Sequence, residues 1–588
     1  MRQTIWRRGD LRLLIVGVVF VLAWGGIGFR LFDLQNARAE ELATIGFDQR
    51  IRTESIEAPR GTIYDRDGVE MAMTIDGWNV VVDPMMLDDP RAAAAVLAPF
   101  ADDPWEELER TLVEGQADGR RYAEIALRID TAEKNLIVAA IDDYNAGVDR
   151  ADRLVGVFYR EQPLRVYPSG HVAAQVIGLT RHDDGSGIEG LEKTFDSELE
   201  GIDGKTIVER SLSGQVIPQG DIRIEEAVAG SDVVTTIDTA IQFQAEQSLR
   251  KAIQETNASG GAIVAIDAHS GAILAMASWP GLDLNDRSQA TPELLRNRAV
   301  ADVYEPGSTL KAVTVAAAID ASVVTAETHI DTPKSVTIGD FTYEDHGTNP
   351  AWMTVADVVM RSSNVGTIEI QRRLGNDLHY DYLTEFGLGA PASLDVAGER
   401  HGQLQPSSSW NLTSGSSISI GYAVGTTPLQ MAAVYATFAN DGVWMEPYLV
   451  SEIIRPDGTR IATKPRSRVV LSEETAATMR GILGRVIESD EGTGRRARMA
   501  DFTAGGKTGT SQKFDVEAGE YSNDTFASFV GMAPLDDPEI VVAVVLDTPY
   551  GAHRDGADLS LGGASAAPVF AEFTQAALHQ LGVAPDRE

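Results

Sequence analysis

A serine stands just past a Pro-Gly turn in "VYEPGSTLKAVTVAAAID", residues 303–320, and a lysine follows three positions later. A hydroxyl becomes a nucleophile only when a base within hydrogen-bond reach takes its proton. Residues three apart share one helix face, so Lys311 stands one turn above Ser308. It can act as that base if burial or nearby positive charge lowers its pKa, and Leu310, Val313, Val315 and Ala316 to Ala318 make a dry site there. N–H groups at a helix start can also donate to a developing oxyanion. The same residues read as a helix cap, because Ser or Thr after a turn and before an apolar run is an ordinary N-terminus signal. Only nine lysines occur in the chain, so a chance S-x-x-K is rare, yet Ser248 and Lys251 repeat it. That pair lies in an amphipathic helical pattern with Ile241, Ala245, Leu249 and Ile253 at helical spacing. No turn presents Ser248, and Arg250 beside Lys251 marks a solvated face.

Two further groups of residues could share a cleft with Ser308. In "ADVVMRSSNVGTIEIQRRLG" a helical pattern breaks at Ser362-Ser363-Asn364 and resumes up to Gly375. A hydroxyl and an amide two residues apart on such a bend can both point inward, the hydroxyl passing a proton and the amide holding a substrate carbonyl. A capped helix-helix turn is the structural alternative, and Ser409-Trp410-Asn411 in a polar loop repeats the pattern. In "FTAGGKTGTSQ", Lys507, Thr508, Gly509 and Thr510 fall on a short strand. Gly509 lets another backbone lie close, while a lysine and two hydroxyls converge on the carboxylate in which that backbone ends.

The elements that must position these groups follow from the chain's patterning. A helix over residues 239–255 leads into "GGAIVAIDAHSGAILAMASWPG", which reads as a hairpin about a Ser-Gly turn. Ala-rich helical patterns come next, strands return in "FASFVGMAPLDDPEIVVAVVLDTP", and "AAPVFAEFTQAALHQLG" is a closing helix. First and last strands that bracket a helical middle predict an α+β layout with helices packed on an antiparallel sheet. From about residue 58 to 232 mixed strands and turns are punctuated by Gly and Asp, as in "DDGSGIEG". Gly505-Gly506 lacks the spacing of a nucleotide loop.

Length and composition bound the rest. At 588 residues the chain has room for two to four domains. Its 87 acidic against 50 basic side chains give a formal charge of -37, which repels a phosphate backbone and argues against nucleic acid as a partner. With no cysteine there is no disulfide, thiolate metal site or cysteine nucleophile. Arg2, Arg7, Arg8 and Arg12 precede an uncharged run, residues 13–29, at the short end of a membrane-spanning helix. Positive charge before the span places residues 1–12 in the cytoplasm and the chain beyond the span outside. An uncleaved anchor over residues 13–30 fits better than a cleaved signal peptide, because Arg30, Asp33 and Gln35 separate the apolar run from the small-residue triplet at residues 37–39. A helical stalk is expected from Leu31 to about Ala58, within a stalk and pedestal over residues 31–232, and a catalytic domain over residues 233–588.

S-x-x-K, then S-x-N, then K-T-G, in that order, resembles the signature of penicillin-binding proteins and serine β-lactamases. Ser363 stands where many β-lactamases carry aspartate, which is more like the penicillin-binding side. "APRGTIYDRDG", "RVYPSGHVAAQVIG" and "GIEGLEKTFDSELEG" resemble the pedestal motifs of class B penicillin-binding proteins, and "VYEPGSTLK" and "GYAVGTTPLQMAAVYATFANDG" resemble their catalytic domain. The resemblance covers nearly all the chain after the anchor. It implies a single-pass inner-membrane protein with a periplasmic D,D-transpeptidase that cross-links peptidoglycan stem peptides and is acylated by β-lactam antibiotics. Ser308 would attack the penultimate D-Ala of a D-Ala-D-Ala donor and pass the acyl group to an amine acceptor. Lys311 would be the base, with Ser362 and Lys507 in the proton network and Asn364 positioning the peptide. The N–H groups of Ser308 and Thr510 would form the oxyanion hole, and Thr508 and Thr510, with Gly509 between them, would hold the donor carboxylate. That chemistry requires no metal or organic cofactor. Glu305 before the turn, "GYAVGTTPLQMA" and a short tail are more like division-type enzymes, which implies a septal role beside a polytopic glycosyltransferase and other divisome membrane proteins. The alternatives are an elongation-type enzyme, a β-lactamase, and a non-catalytic scaffold or β-lactam sensor.

Overall fold

The computed structural model describes residues 8–38, 51–209, 222–393, 395–515 and 518–587. It divides into two units, Met1–Ala58 with Ile202–Val228 and Pro59–Gly201 with Ala229–Glu588.

In the first unit a helix spans Arg8–Phe32 and ends in a π-helical turn, Asp33–Ala37. The segment Leu11–Asn36 has a mean hydropathy of 2.1 and none of it is buried, so it is long and apolar enough to cross a membrane. The helix is longer than the apolar run because backbone hydrogen bonding continues through the flanking polar residues. The helical stalk expected up to about Ala58 is corrected here. Residues 39–50 lie outside the described residues, and Ile51–Ile56 is a strand paired antiparallel with Gly204–Glu209, which in turn pairs with Ile222–Glu225. Ile51, Thr53 and Ile56 are β-branched and favour an extended chain once a partner strand is present.

The second unit holds the predicted antiparallel sheet. Its strands are β1 (Gly260–Asp267), β2 (Ile273–Trp279), β3 (Gly505–Asp515), β4 (Glu520–Ala533) and β5 (Ile540–Asp547), in the spatial order β2-β1-β5-β4-β3. Alternate residues of one strand serve opposite faces. Val264, Ile266, Val541, Ala543 and Val545 join one core, whereas Ile263, Ala265, Val542, Val544 and Leu546 join another. The second core is covered by helix α1 (Thr239–Thr256) and by the closing helix, Ala566–Gln580. The first is covered by α2 (Lys311–Asp320), α3 (Asn364–Leu374), α4 (Pro428–Ala439) and α5 (Glu473–Glu488). Burial on both faces explains why β1 and β5 read as continuous apolar runs.

A second sheet joins early and late parts of this unit. Asp232–Thr235 pairs antiparallel with Val450–Ile454 and parallel with Ile63–Tyr64, and the long strand Glu70–Val82 continues from there. Beside it lies a buried ion cluster built from the pedestal motifs. Glu192 is fully buried and accepts from Arg60 Nε and Arg165 Nε, both at 2.7 Å. Arg60 also reaches Asp196 at 2.8 Å, and Arg165 Nη1 donates to Gly61 O at 2.7 Å. Removing one member of a buried pair strands the other charges, at a cost of about 3–5 kcal/mol. Glu192→Ala should therefore lower the unfolding midpoint of this unit in urea by that equivalent, and a loss below about 1 kcal/mol would show that the cluster is dispensable.

Candidate active site

Ser308 lies inside a single 3-10 turn, Gly307–Leu310, that runs straight into α2. Pro306 occupies the N-cap position, and neither the turn nor α2 is closed by a side chain, so the capping reading of Ser308 does not hold. The side chain is half-buried, and among the described residues its hydroxyl makes no hydrogen bond. Lys311, the first residue of α2, is fully buried.

The helix break predicted at residues 362–364 separates Val355–Met360 from α3. Ser362 has φ +60, a left-handed conformation that costs a non-glycine residue about 1–3 kcal/mol. In that conformation both its carbonyl and its hydroxyl face the two lysines. Lys311 Nζ donates to Ser362 O at 2.7 Å and to Asn364 Oδ1 at 2.7 Å, and lies 3.4 Å from Ser362 Oγ. Lys507 Nζ donates to the same Ser362 Oγ at 2.9 Å and to Thr508 O at 3.1 Å. Asn364 uses its amide group to hold Glu344 O at 2.8 Å. Ser363, between them, faces away from the lysines and caps α3 by accepting from Gly366 N at 2.9 Å.

Two ammonium groups buried around one hydroxyl cannot both keep their protons. Burial pulls Lys311 down to about 7, partly offset by the negative charge of Asp345. Burial pulls Lys507 well below the usual lysine range, and the positive charge of Lys311 pulls it further. The arrangement thus holds a neutral amine at neutral pH, one helical turn from a serine hydroxyl. Sign and window follow directly: the free-base form of Lys311 is lost as pH falls through about 7.

The strand carrying Lys507 is an eleven-residue edge strand, β3, longer than the short strand expected. Its placement against the Ser308 turn depends on missing side chains. A Cβ on Gly509 would meet Ser528 Oγ at 2.3 Å and Pro306 O at 2.8 Å. On the other side Gly421, at φ +85, lies so close that a Cβ would fall 2.0 Å from Gly307 O. Thr510 Oγ1 accepts from Gly562 N at 3.1 Å, which leaves its own proton free for a ligand. Thr508 Oγ1 donates to Thr493 Oγ1 at 3.0 Å.

The predicted residues therefore come together: Lys311, Ser362, Asn364, Lys507 and Thr508 share hydrogen bonds, and the backbone of Gly509 lies against the Ser308 turn. The two repeats of the motifs lie elsewhere: Ser248 is buried in α1 and accepts from Gln244, Lys251 pairs with Glu572 at 2.6 Å, and Asn411 Oδ1 closes its own loop onto Thr413 and Ser414. Sequence reasoning missed Asp345, whose carboxylate binds Ser363, and Thr493, which belongs to no motif. It singled out Glu305 without giving it a contact. Glu305 Oε1 accepts from Ala423 N at 2.7 Å and from Tyr521 OH at 3.1 Å, and burial raises its carboxyl pKa.

Comparison with known proteins bears on the domains and the fold. Residues 261–575 match the family model for the penicillin-binding protein transpeptidase domain, and residues 55–235 match that for the penicillin-binding protein dimerisation domain. The chain is 33% identical to the penicillin-binding protein PbpB of Mycolicibacterium smegmatis, over 99% of this chain and 91% of that protein. It is 29% identical to the peptidoglycan D,D-transpeptidase FtsI of Escherichia coli, over 95% of this chain and 90% of that protein. Among solved structures, penicillin-binding protein 3 of Mycobacterium tuberculosis complexed with aztreonam superimposes with a TM-score of 0.69 at 28% identity, covering 91% of this chain and 98% of that one.

Close approach at Gly509 is testable on its own. Gly509→Ala should push β3 off the Ser308 turn and lower the rate of covalent labelling by a fluorescent penicillin at least tenfold, or about 1.4 kcal/mol in barrier. Labelling within twofold of the parent would mean that the turn moves without cost.

Proposed function

Because this chain belongs to the penicillin-binding proteins and is a peptidoglycan D,D-transpeptidase, we propose that Ser308 is the residue it acylates and that it works at the division septum. The observation that carries the first part is the sharing of Ser362 Oγ by two buried lysines of depressed pKa beside the Ser308 turn.

The steps follow from those contacts. Neutral Lys311 takes the Ser308 proton as Oγ attacks the penultimate D-Ala carbonyl of the donor stem. The backbone N–H groups of Ser308 and Thr510 receive the oxyanion. The amide C–N bond breaks, and the departing D-Ala amine collects a proton through Ser362 Oγ, which Lys311 and Lys507 hold from either side. Thr508 and Thr510 hold the donor's terminal carboxylate and Asn364 its backbone. An acceptor amine then attacks the ester, gives its proton back through the same lysine-hydroxyl set, and frees Ser308. A β-lactam enters at the first step and stays, because its acyl group blocks the acceptor.

Ser308→Ala should abolish covalent labelling by a fluorescent penicillin while Ser248→Ala leaves it intact. Loss of a helix cap would cost only about 1 kcal/mol, so labelling of folded Ser308→Ala protein would return the residue to a structural role. Lys311→Arg keeps the charge but cannot be deprotonated at working pH, and should collapse acylation by 10² or more, as expected for loss of a general base. Lys507→Arg should be milder, and equal small losses would make Lys311 structural.

Support for the septal role comes from the two division-like segments, which pack on each other. Glu305 accepts from Ala423 N, and Tyr304 and Thr426 form a β-bridge. The arginines before the span keep the N-terminus in the cytoplasm and put catalysis outside. A single span offers one small helix-packing face, so the stalk and pedestal supply most of the contact with a polytopic glycosyltransferase. Depletion should give long undivided filaments with the protein at midcell. Cells that round up while still dividing would assign it to elongation.

A further inference from the structure

Asp345 lies in the loop that follows the hairpin Ser335–Ile338 and Phe341–Glu344, seventeen residues before Ser362 and outside every motif. Its carboxylate accepts three hydrogen bonds. Oδ2 accepts from Ser363 Oγ at 2.7 Å and from Asn349 Nδ2 at 2.9 Å, and Oδ1 accepts from Val365 N at 3.0 Å. Ser363 and Val365 flank Asn364, the residue that receives Lys311 Nζ. The adjoining hairpin residue, Glu344, holds the other end of Asn364 through its carbonyl. One loop thus grips Asn364 from both sides, and it brings a negative charge to the first turn of α3, where the helix dipole favours one.

We propose that Asp345 is a positioning residue for acyl transfer: it fixes the start of α3 so that Asn364 meets Lys311, and it supplies the carboxylate charge against which the Lys311 ammonium is balanced. This rests on the reading of Lys311 as the base. No ion pair joins Asp345 to Lys311 among the described residues; the carboxylate oxygens face Ser363, Asn349 and Val365 instead. The charge therefore acts from behind Ser363 and Asn364, at a distance that favours the ammonium without neutralising it. Its direction is the one expected, since it raises the Lys311 pKa against the larger effect of burial.

The other charged groups around Lys311 do not take its place. Lys507 on β3 brings no negative charge, and burial together with the charge of Lys311 pulls its own pKa well below the usual lysine range. His379, which meets Thr314 of α2 at 3.2 Å, is fully buried and pulled down to about 3, hence neutral. Arg361, the residue before Ser362, is paired with Glu491 at 2.5 Å, and Asp357 with Arg485 at 2.6 Å.

The test is the pH dependence of acylation of the full-length protein in detergent by a fluorescent penicillin, between pH 5 and 9. Wild type should lose rate as pH falls through about 7. Asp345→Asn keeps the shape and removes the charge, so the fall should move toward lower pH by about half a unit or more. Ser363→Ala keeps the charge and removes two contacts, the bond to Asp345 and the cap on Gly366 N; its plateau should drop while the fall stays at the wild-type pH. Thermal melting confirms that each variant is folded, and Asp345→Ser replaces Asp345→Asn, with the same reading, if the latter melts below assay temperature. A wild-type fall that stays in place without the carboxylate overturns the inference. A wild-type profile with no fall below neutrality overturns instead the reading of Lys311 as base.

Discussion

Two lysines buried against one serine hydroxyl form the constraint on which the rest of this structure depends. An ammonium taken out of water without a carboxylate partner is unfavourable by several kcal/mol. The protein meets that cost by letting the groups deprotonate and by filling the remaining bonds with Ser362 O, Ser362 Oγ, Asn364 Oδ1 and Thr508 O. Ser362 can serve both lysines only in a left-handed backbone conformation. The local strain is held in place by the capping box of the helix before it, Thr354 with Asp357, and by the Ser363 cap of the helix after it.

Around that center the packing is arranged to bring three separate pieces of backbone together. The Ser308 turn, the Gly421 loop and β3 approach more closely than any side chain permits, which is why glycine stands at 307, 421 and 509. Glu305 and Ser511 then tie the same pieces laterally, since Ser511 Oγ donates to Glu305 O at 2.6 Å and Glu305 Oε1 receives Ala423 N. Behind them β4, which holds β3 by its backbone, is buried on both faces: Val530 and Met532 join one core and Phe529 and Ala533 the other. Rigidity of this kind suits a site whose proton transfers depend on distances near 3 Å.

Much of this was legible because period and spacing are local properties. The continuous apolar runs of β1 and β5, the helical face of α1, and the break at residues 362–364 all follow from nearest-neighbour chemistry, and the structure has each of them. The stalk was misread because Ile51–Ile56 becomes a strand only through a partner about 150 residues away, in Gly204–Glu209. Ser308 could not be told from a cap within its own segment, since both roles call for a hydroxyl after a turn. Asp345 and Thr493 gave no local signal at all, because a carboxylate in a polar loop and a threonine in a glycine-rich one are common.

By itself, then, the sequence determined which residues could do acyl-transfer chemistry, the order in which they occur, the α+β layout and the apolar N-terminal helix, since residue type, spacing and periodicity carry those directly. Tertiary structure decided what those residues are. It withdrew the solvent from Lys311 and Lys507, set one hydroxyl between them, and brought an unheralded carboxylate behind Asn364. The physical reason is that a pKa, a hydrogen bond and a close backbone approach belong to distances between elements, and none of those distances exists until the chain is folded.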